Sequence, residues 1–527
     1  MTAPATVPDA APVQMSHREI LEALSGLLLA MFVAMLSSTV VSNALPRIVT
    51  DLEGSQTGYT WVVVATLLTM TATTPIWGKL ADLFSKKLLV QSGLVIFVAG
   101  SLVAGLAQNM AVLIAARAIQ GVGVGGLTAL VQVIIGTIVT PRERGRYAGY
   151  IGATFALATV SGPLLGGLIV DTPFLGWRWC FYVGVPFAIA AFLVLQKTLH
   201  VPFQRREARI DYAGATLIMS GVSVLLVWVS LAGNDFEWIS TTSAVLITAG
   251  LVLLLLAVYV EGRVASDPVV PLRLFRDPTT SLATAASILV GVVMFGSTVY
   301  LSQYFQLARG MTPTHAGLMS IALVGGLLVS SIVSGRLITA HGRWKRFLVG
   351  GMVLVVVGLA LLSTIDAHTP LVRVAAFMAV LGLGMGASMQ NLVLAVQNNT
   401  SHADMGAASS LVVFFRSMGG AIGVSALGAV LSHQVAASVA EGLARLGIAA
   451  NSQESHSIPD LSTLPDPVRV LFENAFADAT AHVFLVAIPF AVLALACVLF
   501  IREVPLRTTL LDEDELSPEV AAELHAR

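Results

Sequence analysis

The sequence predicts an all-α polytopic membrane protein with fourteen transmembrane helices arranged as six, two and six. Three observations carry that prediction. The 527 residues are 56% hydrophobic and only 11% charged, against roughly 25% charged in ordinary globular chains. Apolar runs of about 20 residues, long enough to cross a bilayer at about 1.5 Å per residue, recur along the whole chain. Lys and Arg concentrate in alternate linkers, as the positive-inside rule requires of a chain that crosses back and forth.

The first six runs lie near 24 to 45, 58 to 78, 88 to 107, 111 to 138, 147 to 170 and 178 to 196, and form an N-terminal bundle over 24–196. Two additional runs, 212 to 232 and 240 to 260, fall within 197–280, between basic linkers that carry Lys197, Arg205, Arg206 and Arg209 before them and Arg263, Arg273 and Arg276 after them. The last six, 281 to 305, 314 to 335, 346 to 365, 371 to 396, 405 to 432 and 479 to 501, form a C-terminal bundle over 281–501. With the basic linkers inside, both termini are cytoplasmic. Residues 1–23, with Pro4, Pro8 and Pro12, read as a disordered cytoplasmic lead. The first helix reads as a retained signal anchor, because the run from Leu24 is too long for a cleavable signal and ends in Asn43, Leu45 and Pro46 instead of a small-residue cleavage site. A hydrophilic outer loop is expected at 433–478, in which Pro467 to Asp478 forms a short amphipathic helix at the membrane surface. The tail, 502–527, is acidic through Asp512, Glu513, Asp514 and Glu515 and is expected to be solvated and cytoplasmic.

Several functions are excluded at this stage. A net charge of -1 leaves no pervasive positive field for nucleic acid. No Gly-x-x-x-x-Gly-Lys-Ser/Thr occurs, so no nucleotide is expected to drive the protein. Gly121, Gly123 and Gly126 match a dinucleotide fingerprint by spacing, but they lie inside an apolar helix with no preceding strand. Cys180 and Cys497 fall at opposite membrane faces, too far apart for a disulfide. The spans hold no nucleophile with a nearby base, no metal-ligand cluster and no buried carboxylate pair, so the chain is not expected to be an enzyme, nor to carry a cofactor or metal. The expected partners are small hydrophobic substrates and membrane lipids, the expected state is a monomer, and the expected energy source is an ion gradient.

The loop after the second span reads Gly78-Lys79-Leu80-Ala81-Asp82-Leu83-Phe84-Ser85-Lys86-Lys87. A weaker echo, Gly335-Arg336-Leu337 followed by Gly342-Arg343, with Thr339 where the first copy has Asp82, follows the tenth span, as an internal repeat of two halves would leave it. The fifth span carries Ser161-Gly162-Pro163-Leu164-Leu165-Gly166-Gly167, small residues that let another helix approach closely. Further segments are Trp177-Arg178-Trp179-Cys180-Phe181 with Val185-Pro186, Asp211-Tyr212-Ala213-Gly214 and Gly310-Met311-Thr312-Pro313. Together these resemble the fourteen-helix drug:proton antiporter branch of the major facilitator superfamily. The first loop resembles that superfamily's signature Gly-x-Leu-Ala-Asp-Arg-x-Gly-Arg-Lys, with Leu83 for Arg and Ser85 for Gly. The fifth-span motif resembles the exporters' Gly-Pro-x-x-Gly-Gly, with Ala158 at a position usually Gly. The resemblance implies a major facilitator fold in the cytoplasmic membrane, multidrug efflux by alternating access, proton antiport, a conformational gate at Gly78, Asp82, Lys86 and Lys87, and an export-favouring hinge at Gly162, Pro163, Gly166 and Gly167.

Arg117 lies inside the fourth span, where a charge costs about 2.5 to 3.5 kcal/mol and by default faces the bundle interior. The family's fourth helix carries a functional Arg in an Arg-x-x-Gln-Gly motif, matched here by Arg117, Gln120 and Gly121. Its usual partner is a proton-exchanging Asp on the first helix, and this chain has Ser37 at that position. Helix rise places Ser37 at a depth comparable to Arg117. A carboxylate there titrates and a serine hydroxyl does not. Three routes stay open: an acid at the cavity mouth, with Glu473 or Asp478 outside and Glu22 inside; protonation carried by substrate or by water beside Arg117; or a facilitator, or a dedicated natural-product or lipid exporter, without the usual coupling. A membrane receptor or enzyme is the non-transport alternative.

Polar and aromatic residues within the spans sketch a substrate cavity: Asn43, Gln120, Gln132, Tyr300, Gln303, Tyr304, Gln390, Asn391, Gln397 and Arg416. Each has an alternative role as hydrogen-bond glue between helices, and Tyr300 with Tyr304, four apart on one face, alternatively belong to an aromatic belt. Such a cavity, with amides and aromatics but no carboxylate, favours neutral, anionic or zwitterionic amphiphiles over dications.

Overall fold

A computed structural model of the chain describes residues 17–53, 56–172, 175–199, 211–233, 236–265, 268–401, 404–445 and 465–506. The helices are α1 (His17–Asp51), α2 (Gln56–Leu83), α3 (Lys86–Gly105), α4 (Met110–Ile138), α5 (Pro141–Asp171), α6 (Trp179–Tyr182), α7 (Gly184–Thr198), α8 (Tyr212–Leu231) and α9 (Thr241–Arg263). After a 3-10 turn at Leu272–Arg276 come α10 (Pro278–Gln303), a π turn at Tyr304–Ala308, α11 (Pro313–Met319), α12 (Ile321–His341), α13 (Lys345–Leu362), α14 (Leu371–Asn398), α15 (Met405–Arg445) and α16 (Asp466–Phe500). Among the described residues fourteen spans are long and apolar enough to cross a membrane, with α6 and α7 making one and α11 and α12 another.

Local chemistry sets where these helices start. Asn109 caps α4 by accepting the Val112 N–H at 2.9 Å, Asp211 caps α8 through Gly214 at 2.9 Å, and Asp277 caps α10 through Thr280 at 2.9 Å. Each cap satisfies an amide that helix geometry leaves without an internal partner. Gly342 ends α12 in the left-handed conformation with φ 70, which glycine adopts without strain.

The six, two and six order holds, but several predicted limits move. The helix of the first span begins at His17, inside the stretch assigned to a disordered lead. The outer loop expected at 433–478 is mostly helix: α15 continues to Arg445, and α16 starts at Asp466. Pro467 to Asp478 is accordingly the first part of a spanning helix and not a separate surface helix. Polarity misled here, because Ser432, His433 and Gln434 are soluble residues that a helix tolerates once it extends past the membrane. The rest of that loop, most of the lead and the acidic tail from 507 onward lie outside the described residues.

Packing divides the chain into two bundles. One apolar core joins α1, α3, α4, α5 and α7, and a separate one joins α10, α12, α13, α14, α15 and α16. Phe155 on α5 packs against both. The bundles meet where α5 lies on α12 and where α2 and α4 lie on α15. The additional pair, α8 and α9, forms a hairpin docked through α8 on α2 and α15, with Ile218, Val222 and Leu226 packed around Ala72 and Phe414. Glycines set the closest crossings. A Cβ on Gly121 would lie 2.5 Å from the Thr66 carbonyl of α2, and one on Gly123 would lie 2.7 Å from the Phe97 amide of α3. The fingerprint-like glycines of α4 are therefore a packing surface.

Candidate functional site

At the end of the molecule that carries both described termini, the signature loop is a clasp between the bundles. The Asp82 carboxylate, at the end of α2, accepts the backbone N–H of Gly406 at 2.8 Å and of Ala407 at 3.0 Å, in the first turn of α15. These are two of the amides that a helix start leaves open, and the positive end of the helix dipole favours an anion there. Gly78 explains the closeness of the approach. A side chain on it would run into Ser410 and sit 2.7 Å from the Gly406 carbonyl. Lys86 is half-buried beside Asp82 and attracts its charge, whereas Lys87 turns into its own bundle and donates to the Gln196 carbonyl at 2.6 Å. Leu83, at the position where the signature usually has Arg, is buried.

Next to this clasp, amides bridge the same interface. Gln397 of α14 donates to the Gln132 carbonyl at 3.2 Å and to Ser409 Oγ at 2.9 Å, while its own oxygen accepts Arg144 at 3.0 Å. Arg144 also donates to the carbonyls of Val139 and Gly136. Gln132 reaches Gln390 Oε1 at 3.4 Å, and Asn391 donates to its own helix at Ala387, 2.6 Å away. These amides line one small crevice with Arg144. Gln132, Gln390, Asn391 and Gln397, read from the sequence as cavity residues, thus gather in one place, and there the three glutamines tie α4, α14 and α15 together. By sequence, Arg144 belongs to the basic linker between the fourth and fifth apolar runs. Its signal was Pro141, three residues earlier, which sets the first helical position and hence the side that Arg144 faces.

Toward the opposite end, Arg117 and Ser37 share a buried network. Arg117 donates to Gln120 Oε1 at 2.5 Å and to the Val62 carbonyl at 3.4 Å. Gln120 then donates its amide to Ser37 Oγ at 2.9 Å and to Ser101 Oγ at 2.8 Å. Gln120 therefore links the two positions that depth matching placed at one level. Ser101 and Thr66, which donates to the Arg117 carbonyl at 3.1 Å, carried no distinguishing signal, since hydroxyls on apolar helices look alike in a sequence.

The fifth-span motif contacts both bundles. Gly162 lies against the Thr39 side chain of α1, and Thr39 donates to the Ala158 carbonyl at 3.4 Å. A Cβ on Gly167 would lie 3.1 Å from Thr314 Oγ1 of α11, while Gly149 and Gly152 face Ile332 and Ser331 of α12. Gly166 is buried and the helix is unbroken from Pro141 to Asp171. The side chains of Pro163 and Asn43 lie outside the described residues.

Other predicted residues have separate placements. Tyr300 is buried and donates to the Val424 carbonyl, and Tyr304 donates to the Asp366 carbonyl at 2.7 Å. Arg309 holds the same corner by donating to the Thr369 carbonyl at 2.6 Å. There Thr369 and the His368 amide hold the Asp366 carboxyl below its ordinary range by hydrogen bonding. Both tyrosines are thus ties between helices. Gln303 is half-buried with no hydrogen bond among the described residues. Arg416 is half-buried in mid-helix, also without one. The acids considered at the cavity mouths lie elsewhere: Glu22 pairs with Arg18 at 2.9 Å, Glu473 lies 3.7 Å from Arg469, and Asp478 is exposed. None of the three bonds to the Arg117 network.

Two helical bundles clasped at one end, with buried polar networks between their helices, define a membrane transporter of the two-bundle type. Residues 27–424 match the Major Facilitator Superfamily profile, and the chain belongs to that family. It is 35% identical over 523 residues to an uncharacterized MFS-type transporter of Mycobacterium tuberculosis, covering 98% of this chain and 74% of that one. It is likewise 35% identical over 409 residues to the multidrug transporter protein MdtP of Bacillus subtilis, covering 78% and 75%. Over 495 residues it is 35% identical to the efflux pump dotC of Dothistroma septosporum, covering 92% and 84%. Among solved structures, a proton:xylose symporter of the same superfamily has a TM-score of 0.61 at 13% identity, covering 93% of this chain and 97% of that one. The family and these relatives are transporters, not enzymes.

Proposed function

We propose that the protein exports hydrophobic or amphiphilic drugs or metabolites across the cytoplasmic membrane, as a monomeric secondary transporter that works by alternating access. Both termini face the cytoplasm, following the distribution of Lys and Arg. The observation that carries the reading is the Asp82 clasp on the start of α15: charge-assisted bonds close one end of the interface between two bundles that each have a core of their own. Such an interface opens by rigid-body rocking without breaking either core. The names of the relatives support efflux as the direction. No nucleotide motif is available, so an ion gradient drives transport, and protons are the ion the family resemblance implies. Ser37 takes no part in proton exchange, because its hydroxyl does not titrate and already accepts the Gln120 amide. Arg117 and Gln120 hold α4 in position, and the proton passes through water or substrate beside them.

Efflux from vesicles under an imposed pH gradient tests this. The native protein exports a lipophilic dye, and an uncoupler stops it. Ser37→Asp puts a titratable carboxyl within reach of Gln120, and its efflux gains a further pH dependence, from that carboxyl, on top of the native one. Native efflux that continues unchanged after the gradient collapses removes proton coupling, and absence of efflux in every condition removes export.

A further inference from the structure

Among the described residues two arginines, Arg117 and Arg416, lie well inside a spanning helix, away from its ends, and their surroundings differ. Arg117 has two hydrogen-bond acceptors, Gln120 and the Val62 carbonyl. Arg416 has no hydrogen bond or ion pair among the described residues, although it sits eleven residues into α15, about 17 Å from that helix start. Its backbone carbonyl abuts Gly291 in the middle of α10, so α15 is held tightly at this depth. The side chain is half-buried and keeps accessible surface. A guanidinium carries five N–H donors and does not lose its charge. The residues three and four positions away, which share its helix face, are Val412, Val413, Gly419 and Gly420, and none offers a side-chain acceptor. The two Asp and Glu residues nearest in sequence are Asp404, which pairs with Arg273 at 2.8 Å at the helix start, and Glu441, paired with Arg445 near the other end.

An unpaired charge at mid-membrane depth is a functional group by default. We propose that Arg416 is the docking point for an anionic head group, such as a carboxylate, sulfonate or phosphate, on an otherwise hydrophobic exported substrate. The proposal rests on the export reading and narrows its substrate class. The planar guanidinium suits two-point binding of such an oxyanion, and the apolar flanks accept only a hydrophobic remainder.

The test uses the full-length protein in phosphatidylcholine vesicles and two probes with similar aromatic bodies, anilinonaphthalene sulfonate and neutral phenylnaphthylamine. In the native protein the sulfonate is exported in preference to the amine. Arg416→Gln lowers the sulfonate-to-amine ratio about tenfold or more, the loss expected for a charge-assisted bond, and Arg416→Lys restores part of it. An unchanged ratio in Arg416→Gln overturns the anion site while leaving export intact. Export of neither probe by the native protein overturns the export reading and this proposal with it. A second measurement is independent of how the variants fold. Phenylglyoxal labels Arg416 of the native protein, read by peptide mass spectrometry, and the sulfonate protects it more than the amine does. Equal protection by both probes overturns the site. Protection by phosphatidylglycerol in the vesicle, with no added sulfonate, assigns Arg416 to lipid and overturns its role in substrate binding.

Discussion

Gln120 occupies a place between two positions that the family resemblance singles out. Its oxygen takes the Arg117 guanidinium and its amide supplies the Ser37 and Ser101 hydroxyls. With Ser at the position where the family usually has Asp, the network is held by an amide relay instead of an ion pair. Replacing Gln120 by Leu leaves a buried guanidinium donor and two hydroxyls short of a partner. The expected destabilisation is about 3 kcal/mol, read as a drop in the thermal midpoint in detergent. Gln390→Leu, at a half-buried and longer bond, costs less than about 1 kcal/mol, and equal midpoints for the two variants would contradict this account. Arg117 and Ser37 were legible as a pair, because helix rise alone gives their depth. Their link through Gln120 was not, since it depends on the relative rotation of three helices. Arg144 was hidden for the same reason: a sequence places it in a basic linker, and only the packed structure turns it onto Gln397.

At the scale of elements, the close approach of α2 to α15 makes Gly78 intolerant of size. Gly78→Ala drives a methyl into Ser410 and toward the Gly406 carbonyl, and overpacking of this kind costs about 1 to 3 kcal/mol. The expected result is a loss of efflux that deepens in Gly78→Val and recovers in part when Ser410 is also changed to Gly. Failure of the second change to recover any efflux in Gly78→Ala would place the obstruction elsewhere. The additional hairpin is tied down by Glu261, whose carboxylate accepts the amides of Val269 and Val270, both at 3.1 Å, in the connection from α9 to α10. Glu261→Ala leaves those amides unpaired and is expected to open residues 262 to 276 to protease. Glu261→Gln keeps one acceptor and is cut less, and identical cleavage of native and Ala proteins would show that the connection is held by other contacts. The existence and order of the spans were legible because long apolar runs leave little choice of structure. Their ends were less so: α15 runs on to Arg445 through Ser432, His433 and Gln434, and hydropathy reports the membrane boundary instead of the helix end.

For the whole molecule, the six, two and six plan was legible from apolar runs and linker charge. The state of the gate was not, because Asp82 meets backbone amides of residues 406 and 407, far along the chain, and a backbone amide leaves no side-chain signal in the sequence. In this structure the end that carries both termini is closed by that clasp and by the amides around Gln397. The central claim is that transport opens this end by parting the two bundles. It is tested most directly by spin labels at the exposed positions Arg146 and His341, on opposite bundles at that end, after Cys180 and Cys497 are replaced by Ser, with distances read by double electron–electron resonance. The account predicts a short, narrow distribution for Asp82 intact, and a longer second population in Asp82→Ala, which removes the carboxylate that closes the start of α15. A single short distance in both proteins would contradict it.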